Sequence, residues 1–171
     1  MAFLFERFPL LRRAAALPLA AWACVALAQT PPDAVIDLPA GLACPGFDLR
    51  LEVRGGLQQN RLFTDRAGNP VRFIAAGRGS QLTLINLASG SSLTLRPNGA
   101  VSNVVFNPDG TQTLSATGHN LIIMFPTDNP AGPTTVQYIG RVLLTVSADG
   151  SNMFTFRQVS GTRNDICALL S

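Results

Sequence analysis

From Phe47 the chain alternates apolar and polar positions, with Phe47, Leu49, Leu51 and Val53 interleaved by Asp48, Arg50, Glu52 and Arg54. A period of two sends these sets to opposite faces of an extended chain, so the segment predicts a strand with one buried and one solvated face. Gly55-Gly56 ends it. Further β-type runs follow at Leu57–Phe63, Val71–Ala76, Gln81–Leu87, Ser91–Arg96, Ala100–Phe106, Thr111–Ala116 and Asn120–Phe125. Gln81–Leu87 is partly apolar on both faces, as a central strand would be. Between the runs stand turn residues, most plainly Asn107-Pro108-Asp109-Gly110, where Pro presets φ and Asp-Gly tolerates the positive φ of a tight turn. Thr117-Gly118-His119 separates two of the runs, and Thr134–Ser147 predicts one bent strand or two strands meeting at Gly140. A hairpin at Ala148–Ser151 leads into a last strand, Asn152–Ser160.

No window of useful length has helical periodicity. About nine short strands, spaced by turns roughly every ten residues, predict an all-β domain. Hairpin-length connections favour sequential antiparallel neighbours, hence a single meander closing as a barrel, with a β-sandwich as the alternative. Residues 29–43 are Pro-containing and aperiodic and read as an extended lead-in to a β-domain at 44–171. Pro126–Pro133 reads as an exposed loop, and the C-terminus as one helical turn capped by Asn164 or Asp165.

Composition changes the picture at the N-terminus. Of 171 residues 47% are hydrophobic and 13% charged, with a formal charge of +3, and all basic residues are Arg. The absence of Lys removes P-loop nucleotide binding, Schiff-base chemistry and Ser-Lys catalysis, each of which needs an amine at a defined place. Residues 1–28 have the parts of a signal peptide: Arg7, Arg12 and Arg13, an apolar run from Ala14 to Val25, and the small-x-small site Ala26-Leu27-Ala28. The run is short for a bilayer span and Pro18 interrupts it. Acylation at Cys24 is the lipoprotein alternative, against which stands bulky Trp22. Cleavage after Ala28 leaves ten Arg against nine acidic residues, scattered along the chain. Without a basic stripe, nucleic-acid binding loses its support. The expectation is a secreted or cell-surface protein without a membrane span.

Cys44 and Cys167 then remain. An even number of thiols in an exported chain reads as a disulfide, and two permit one connectivity. One His and two distant Cys do not make a metal-ligand set, and neither a metal nor a cofactor is expected. Asp128 and Asp149, with Asn129 and Asn152 nearby, offer oxygen ligands but lack the dense spacing of a calcium loop. No Gly-x-Ser-x-Gly exists to partner His119, and the acids suggest no catalytic pair, so no catalytic residue is assigned. The candidate ligand or anion contacts are Arg78 and Arg141, which each follow a glycine, and His119, the one side chain whose ordinary pKa lies near neutrality.

Four features share an order along the chain: Cys44-Pro45-Gly46-Phe47; Thr83 to Ser92 (TLINLASGSS); Asp109-Gly110 followed by Thr117-Gly118-His119-Asn120; and Gly161 to Cys167 (GTRNDIC). In these the chain resembles, over residues 44–170, uncharacterised small secreted bacterial (actinobacterial-type) all-β domain proteins with a terminal Cys pair. The resemblance implies export, the disulfide and a β fold, and carries no catalytic residue with it.

The function expected is therefore non-catalytic: a disulfide-stapled β-domain that binds an extracellular or cell-surface component. The alternative is a small-molecule-binding barrel for an apolar ligand, with an isomerase or cyclase as its enzymatic form. A filled interior favours the first and a cavity of roughly 300 Å³ or more favours the second.

Overall fold

The computed structural model describes residues 30–96, 98–149, 151 and 154–171; the expected signal peptide, with Trp22 and Cys24, lies outside them, as do Pro97, Gly150, Asn152 and Met153 of the turn and strand expectations. Residues 31–171 form one unit. In chain order its elements are β1 (Ala34–Leu38), β2 (Leu49–Arg54), β3 (Leu57–Thr64), β4 (Pro70–Arg78), β5 (Gln81–Asn86), β6 (Ser92–Leu95), β7 (Ala100–Phe106), β8 (Gln112–Met124), β9 (Thr134–Val146), β10 (Phe154–Asp165) and a single helical turn, α1 (Ile166–Leu170). The alternating runs are thus strands, and the fold is all-β. Asp165 caps α1, its Oδ1 accepting the Ala168 N–H at 3.0 Å. The lead-in differs from its expectation: Ala34–Leu38 pairs along β2 as a strand of its own.

The strands make two antiparallel sheets, in the orders β1-β2-β5-β6 and β10-β9-β8-β7-β4-β3. The expected closed meander is therefore not formed; among the described residues no ladder joins the edges of either sheet, and the arrangement is sandwich-like. The chain leaves the large sheet after β4, makes the β5–β6 hairpin beside β2, and returns at β7 to pair with β4. What draws the hairpin away is burial. Leu84 on β5 and Leu49 and Leu51 on β2 join Ala43, Cys44, Phe47, Ile166, Cys167 and Leu170 in one core, against which Leu121 and Ile123 of β8 pack. The Cys44–Cys167 disulfide lies in this core and joins the segment before β2 to α1 across 123 residues of sequence.

The large sheet is creased. Tyr138 and Leu144 are six residues apart on β9, roughly 20 Å in a straight strand. Phe156 sits in register with Leu144, yet its ring centroid lies 4.6 Å from that of Tyr138. β9 and β10 must therefore fold back on themselves between these positions, and that is where Gly140 and Gly161 face each other in the ladder. Both have positive φ, 144° and 101°, and a Cβ on either would run into backbone across the pair, the Ser160 carbonyl for Gly140 and the Ile139 carbonyl for Gly161. The line continues through Gly118 on β8, opposite Gly140, and through Ala100 to Gly77. The expected strand break at Thr117-Gly118-His119 is thus a bend in one continuous strand, and Gly140 bends a single strand.

The crease gives the large sheet a concave and a convex side. Val136, Tyr138 and Ile122 before the line meet Ala116, Val142, Leu144 and Phe156 after it, forming a second core on the concave side. On the convex side the small sheet and the stapled segment cover the part beyond the crease, which carries Leu121 and Ile123 of β8 and the buried Thr135 and Gln137 of β9. The remainder of that side, from the crease to the β3–β4, β7–β8 and β9–β10 turns, has no layer over it among the described residues.

The loop expected to be exposed at Pro126–Pro133 is instead partly built in. Asp128 is buried, with its carboxylate accepting the Phe125 N–H at 2.6 Å and the Phe154 N–H at 3.4 Å. Asn129 exchanges backbone hydrogen bonds with Phe154 and Phe156, so the loop covers the outer edge of β10.

Candidate functional site

His119 sits on β8 immediately after the crease residue Gly118, opposite Ile139. It is half-buried, and its Nδ1 is buried with no hydrogen-bond partner among the described residues. Ser80, Arg96, Asn98 and Gln137 line the same hollow as His119, together with Leu82, Leu95 and Leu121. Its volume is about 50 Å³, room for ordered water and too little for an organic ligand. The alternation that places Leu121 and Ile123 against the small sheet also places His119 at that seam.

Arg78 ends β4 in register with Leu57 and lines an open cleft of about 390 Å³ with Arg54, Gly55, Gly56, Gly79 and Gln81. Gly79 borders both this cleft and the His119 hollow, so the two adjoin. Arg54 is held to Glu52 at 3.1 Å. A further open cleft, about 480 Å³, lies beside the disulfide between Phe47, Thr134 and α1. These are surface grooves.

Arg141 lines neither hollow. It stands just past the crease on the uncovered convex side, exposed, with its Nε donating to Ser115 Oγ at 3.3 Å. The structure therefore brings Arg78 and His119 to adjoining hollows, while Arg141, paired with Thr117 two residues before His119 on the same side of the sheet, stands across the crease and lines neither. Strand register then shows which residues share Arg141's side. One row runs Arg157, Leu143, Ser115, Asn103, Ile74, Arg61 across β10, β9, β8, β7, β4 and β3. The row toward the turns runs Thr155, Thr145, Thr113, Val105, Arg72, Phe63, and the row toward the crease contains Arg141, Thr117, Val101, Ala76 and Gln59. Arg61, Arg72, Arg141 and Arg157 are all exposed, and no acidic residue occupies any of the three rows.

The carboxylates explain why these Arg keep their charge uncompensated. Among the described residues the ion pairs are Arg50–Asp37 and Arg54–Glu52, both on the small sheet. Asp33 accepts the Gly55 N–H, Asp48 the Ala40 N–H, Asp128 closes its loop and Asp165 caps α1. The other three each tie off a hairpin turn. Asp65 accepts from Ala67 and Asn69, Asp109 from Thr111, and Asp149 from Ser147 and Ser151. These bonds hold the three turn carboxyls below their ordinary value, Asp149 the furthest, at about 2, chiefly through the Ser151 side chain. Arg61 and Arg72 stack over the Phe63 ring at 4.7 and 5.9 Å, and Arg72 Nε donates to Asn103 Oδ1 at 2.5 Å. Their guanidiniums are thus positioned by an aromatic ring and an amide, neither of which neutralises them.

Sequence reasoning found Arg141 through its preceding glycine and missed Arg61, Arg72 and Arg157. Their positions were legible in the alternation; that the β5–β6 hairpin leaves and β4 pairs with β7 was not. Four Arg that are scattered along the chain share one face in space.

No group of three or more His, Cys, Asp or Glu side chains able to hold a metal occurs among the described residues. No described helix is long and apolar enough to cross a membrane. Fold and site together define a disulfide-stapled all-β domain of two antiparallel sheets with a basic, uncovered sheet face. No family model, curated protein or solved structure matches the chain.

Proposed function

We propose that the protein is exported and acts without catalysis, by holding a partner outside the cell or at its surface against the convex face of the large sheet. The observation that carries this reading is the coincidence on one uncovered face of Arg61, Arg72, Arg141 and Arg157, with the carboxylates engaged elsewhere. The hollows favour a surface partner over an enclosed apolar ligand, since the one at His119 measures about 50 Å³ and the larger ones at Arg78 and beside the disulfide are open grooves. Export rests on the signal-like segment at 1–28 and on the buried disulfide, a bond that persists in oxidising compartments. The resemblance to small secreted bacterial β-domains with a terminal Cys pair points the same way.

The test is co-sedimentation of the purified protein with washed cell-envelope material. Binding is expected for the parent and for Arg50→Gln on the small sheet, and should fall by about tenfold, a loss of ~1.4 kcal/mol, in the Arg141→Gln/Arg157→Gln variant. Equal binding by all three would overturn the assignment of the face.

A further inference from the structure

The chemistry of the convex face names a class of partner. Resting on the reading above, we propose that this face is a binding site for a linear anionic polysaccharide, one carrying carboxylate or sulfate groups.

Charge comes first. Arg157 and Arg141 stand on neighbouring strands at one end of the face, and Arg61 and Arg72 on neighbouring strands at the other. Six strands at about 4.8 Å spacing put roughly 24 Å between the outermost pair, Arg157 and Arg61. A single small anion satisfies one end; a chain with repeated negative groups satisfies both. Each guanidinium offers a planar fork that matches a carboxylate or sulfate in two hydrogen bonds. The fixed carboxylates closest in sequence, Asp65, Asp109 and Asp149, lie at the turn end and are folded into their own turns.

What lies between the Arg pairs favours sugar. Thr113, Ser115 and Thr117 on β8 and Asn103 on β7 stand between the pairs and supply hydroxyl and amide groups that both donate and accept, as sugar hydroxyls do, while exposed Val101 and Val105 on β7 offer apolar surface for the faces of sugar rings. Nucleic acid asks for something else. Single strands bind on aromatic platforms, and the one aromatic side chain in the three rows, Phe63, already lies under Arg61 and Arg72.

Pre-positioning adds to this. Arg72 is held by Asn103 and Phe63, and Arg141 by Ser115, so part of the side-chain ordering that binding requires is present before the ligand arrives.

The experiment measures binding of the protein to immobilised polygalacturonate, dextran sulfate and neutral dextran, and to double-stranded and single-stranded DNA, in NaCl from low salt to about 1 M, where screening reaches ~3 Å. Expected are binding to one or both acidic polymers, none to neutral dextran, and a loss of at least about tenfold at the highest salt. Which acidic polymer binds tells carboxylate from sulfate. Arg61→Gln/Arg72→Gln and Arg141→Gln/Arg157→Gln should each weaken binding by about tenfold, while Arg50→Gln leaves it unchanged. The Arg→Lys versions keep the charge and lose the fork, and should recover only part of the affinity. DNA bound as tightly as the acidic polymers would overturn the polysaccharide assignment, as would salt-independent binding or equal loss in Arg50→Gln. If no acidic polymer binds while envelope binding still responds to the Arg variants, the face is the site and its ligand is of another class. If neither responds, both proposals fall.

Discussion

The stapled end of the domain and the β3–β4–β7 end of the large sheet use the same alternation for opposite purposes. At the stapled end Leu49, Leu84, Ile166 and Leu170 are fully buried around the Cys44–Cys167 bond. At the other end β3 has no buried residue, and Leu62 keeps 54% of its surface in solvent. Both regions satisfy their backbone through antiparallel ladders. Only the first adds a second layer, α1 and a crosslink. Stability is thereby concentrated where sequence-distant segments meet, leaving a sheet face whose side chains are free to be chosen for binding.

The disulfide is the strongest way to break that contrast. Reduction, or Cys44→Ala/Cys167→Ala, removes a crosslink closing a loop of over a hundred residues, and the chain-entropy account gives a loss of about 4 to 5 kcal/mol. Urea unfolding with and without reductant measures it. Intact mass should differ by two hydrogens between the two conditions, and free thiols in the native protein would remove the staple from the account.

Next comes the core itself. Leu84→Ala should cost about 2 to 5 kcal/mol, because a fully buried side chain leaves both lost contacts and a cavity. The same truncation at exposed Leu62 should lie within ~0.5 kcal/mol. Similar costs at the two sites in chemical denaturation would mean that β3 is covered in solution.

The crease sharpens the comparison by linking the two ends. Gly140→Ala places a Cβ against the Ser160 carbonyl at a residue with φ of 144°, and should cost about 1 to 3 kcal/mol. Near-ultraviolet circular dichroism from Tyr138 should change with it, since the Tyr138–Phe156 contact exists only while the sheet is bent. Unchanged stability and spectrum would show that the bend does not depend on glycine there.

The smallest effect is acid sensitivity at the turn end. Asp149 is held at about 2 by the Ser151 side chain, the Ser151 N–H and the Ser147 hydroxyl. Its folded value is depressed, so its contribution is fully present above the ordinary value of 3.8 and is lost as pH falls through about 2. Carboxyl resonances followed by NMR should show Asp149 titrating last among the turn acids, and Asp149→Asn should flatten the stability profile in that window. A titration near 3.8 would mean that this turn is open in solution.

Much of the fold was legible before the structure. The strand runs, the hairpin turns and a helix cap at Asn164 or Asp165 follow from patterns within a few residues, and the Cys pair from the count of thiols in a chain expected to be exported. Gly118 shows where that reading stops. A glycine between two β-runs looks like a break, but its neighbours Ala100 and Gly140 pair across it and carry the strand through. Asp128 shows the same limit from the other side. A Pro-rich segment looks solvent-exposed, yet its carboxylate is buried against two backbone N–H groups, one of them in a strand 26 residues away.

By itself the sequence determined that the domain is all-β, which side of each strand is apolar, and the pairing of Cys44 with Cys167. Those properties are written in spacings of two to four residues and in composition. The tertiary structure decided that the β5–β6 hairpin leaves the large sheet, that glycines fold that sheet along one line, and that Arg61, Arg72, Arg141 and Arg157 share a face. Each of these depends on which distant strands become neighbours, and that is set by the competition among apolar faces for burial, a property of the whole chain.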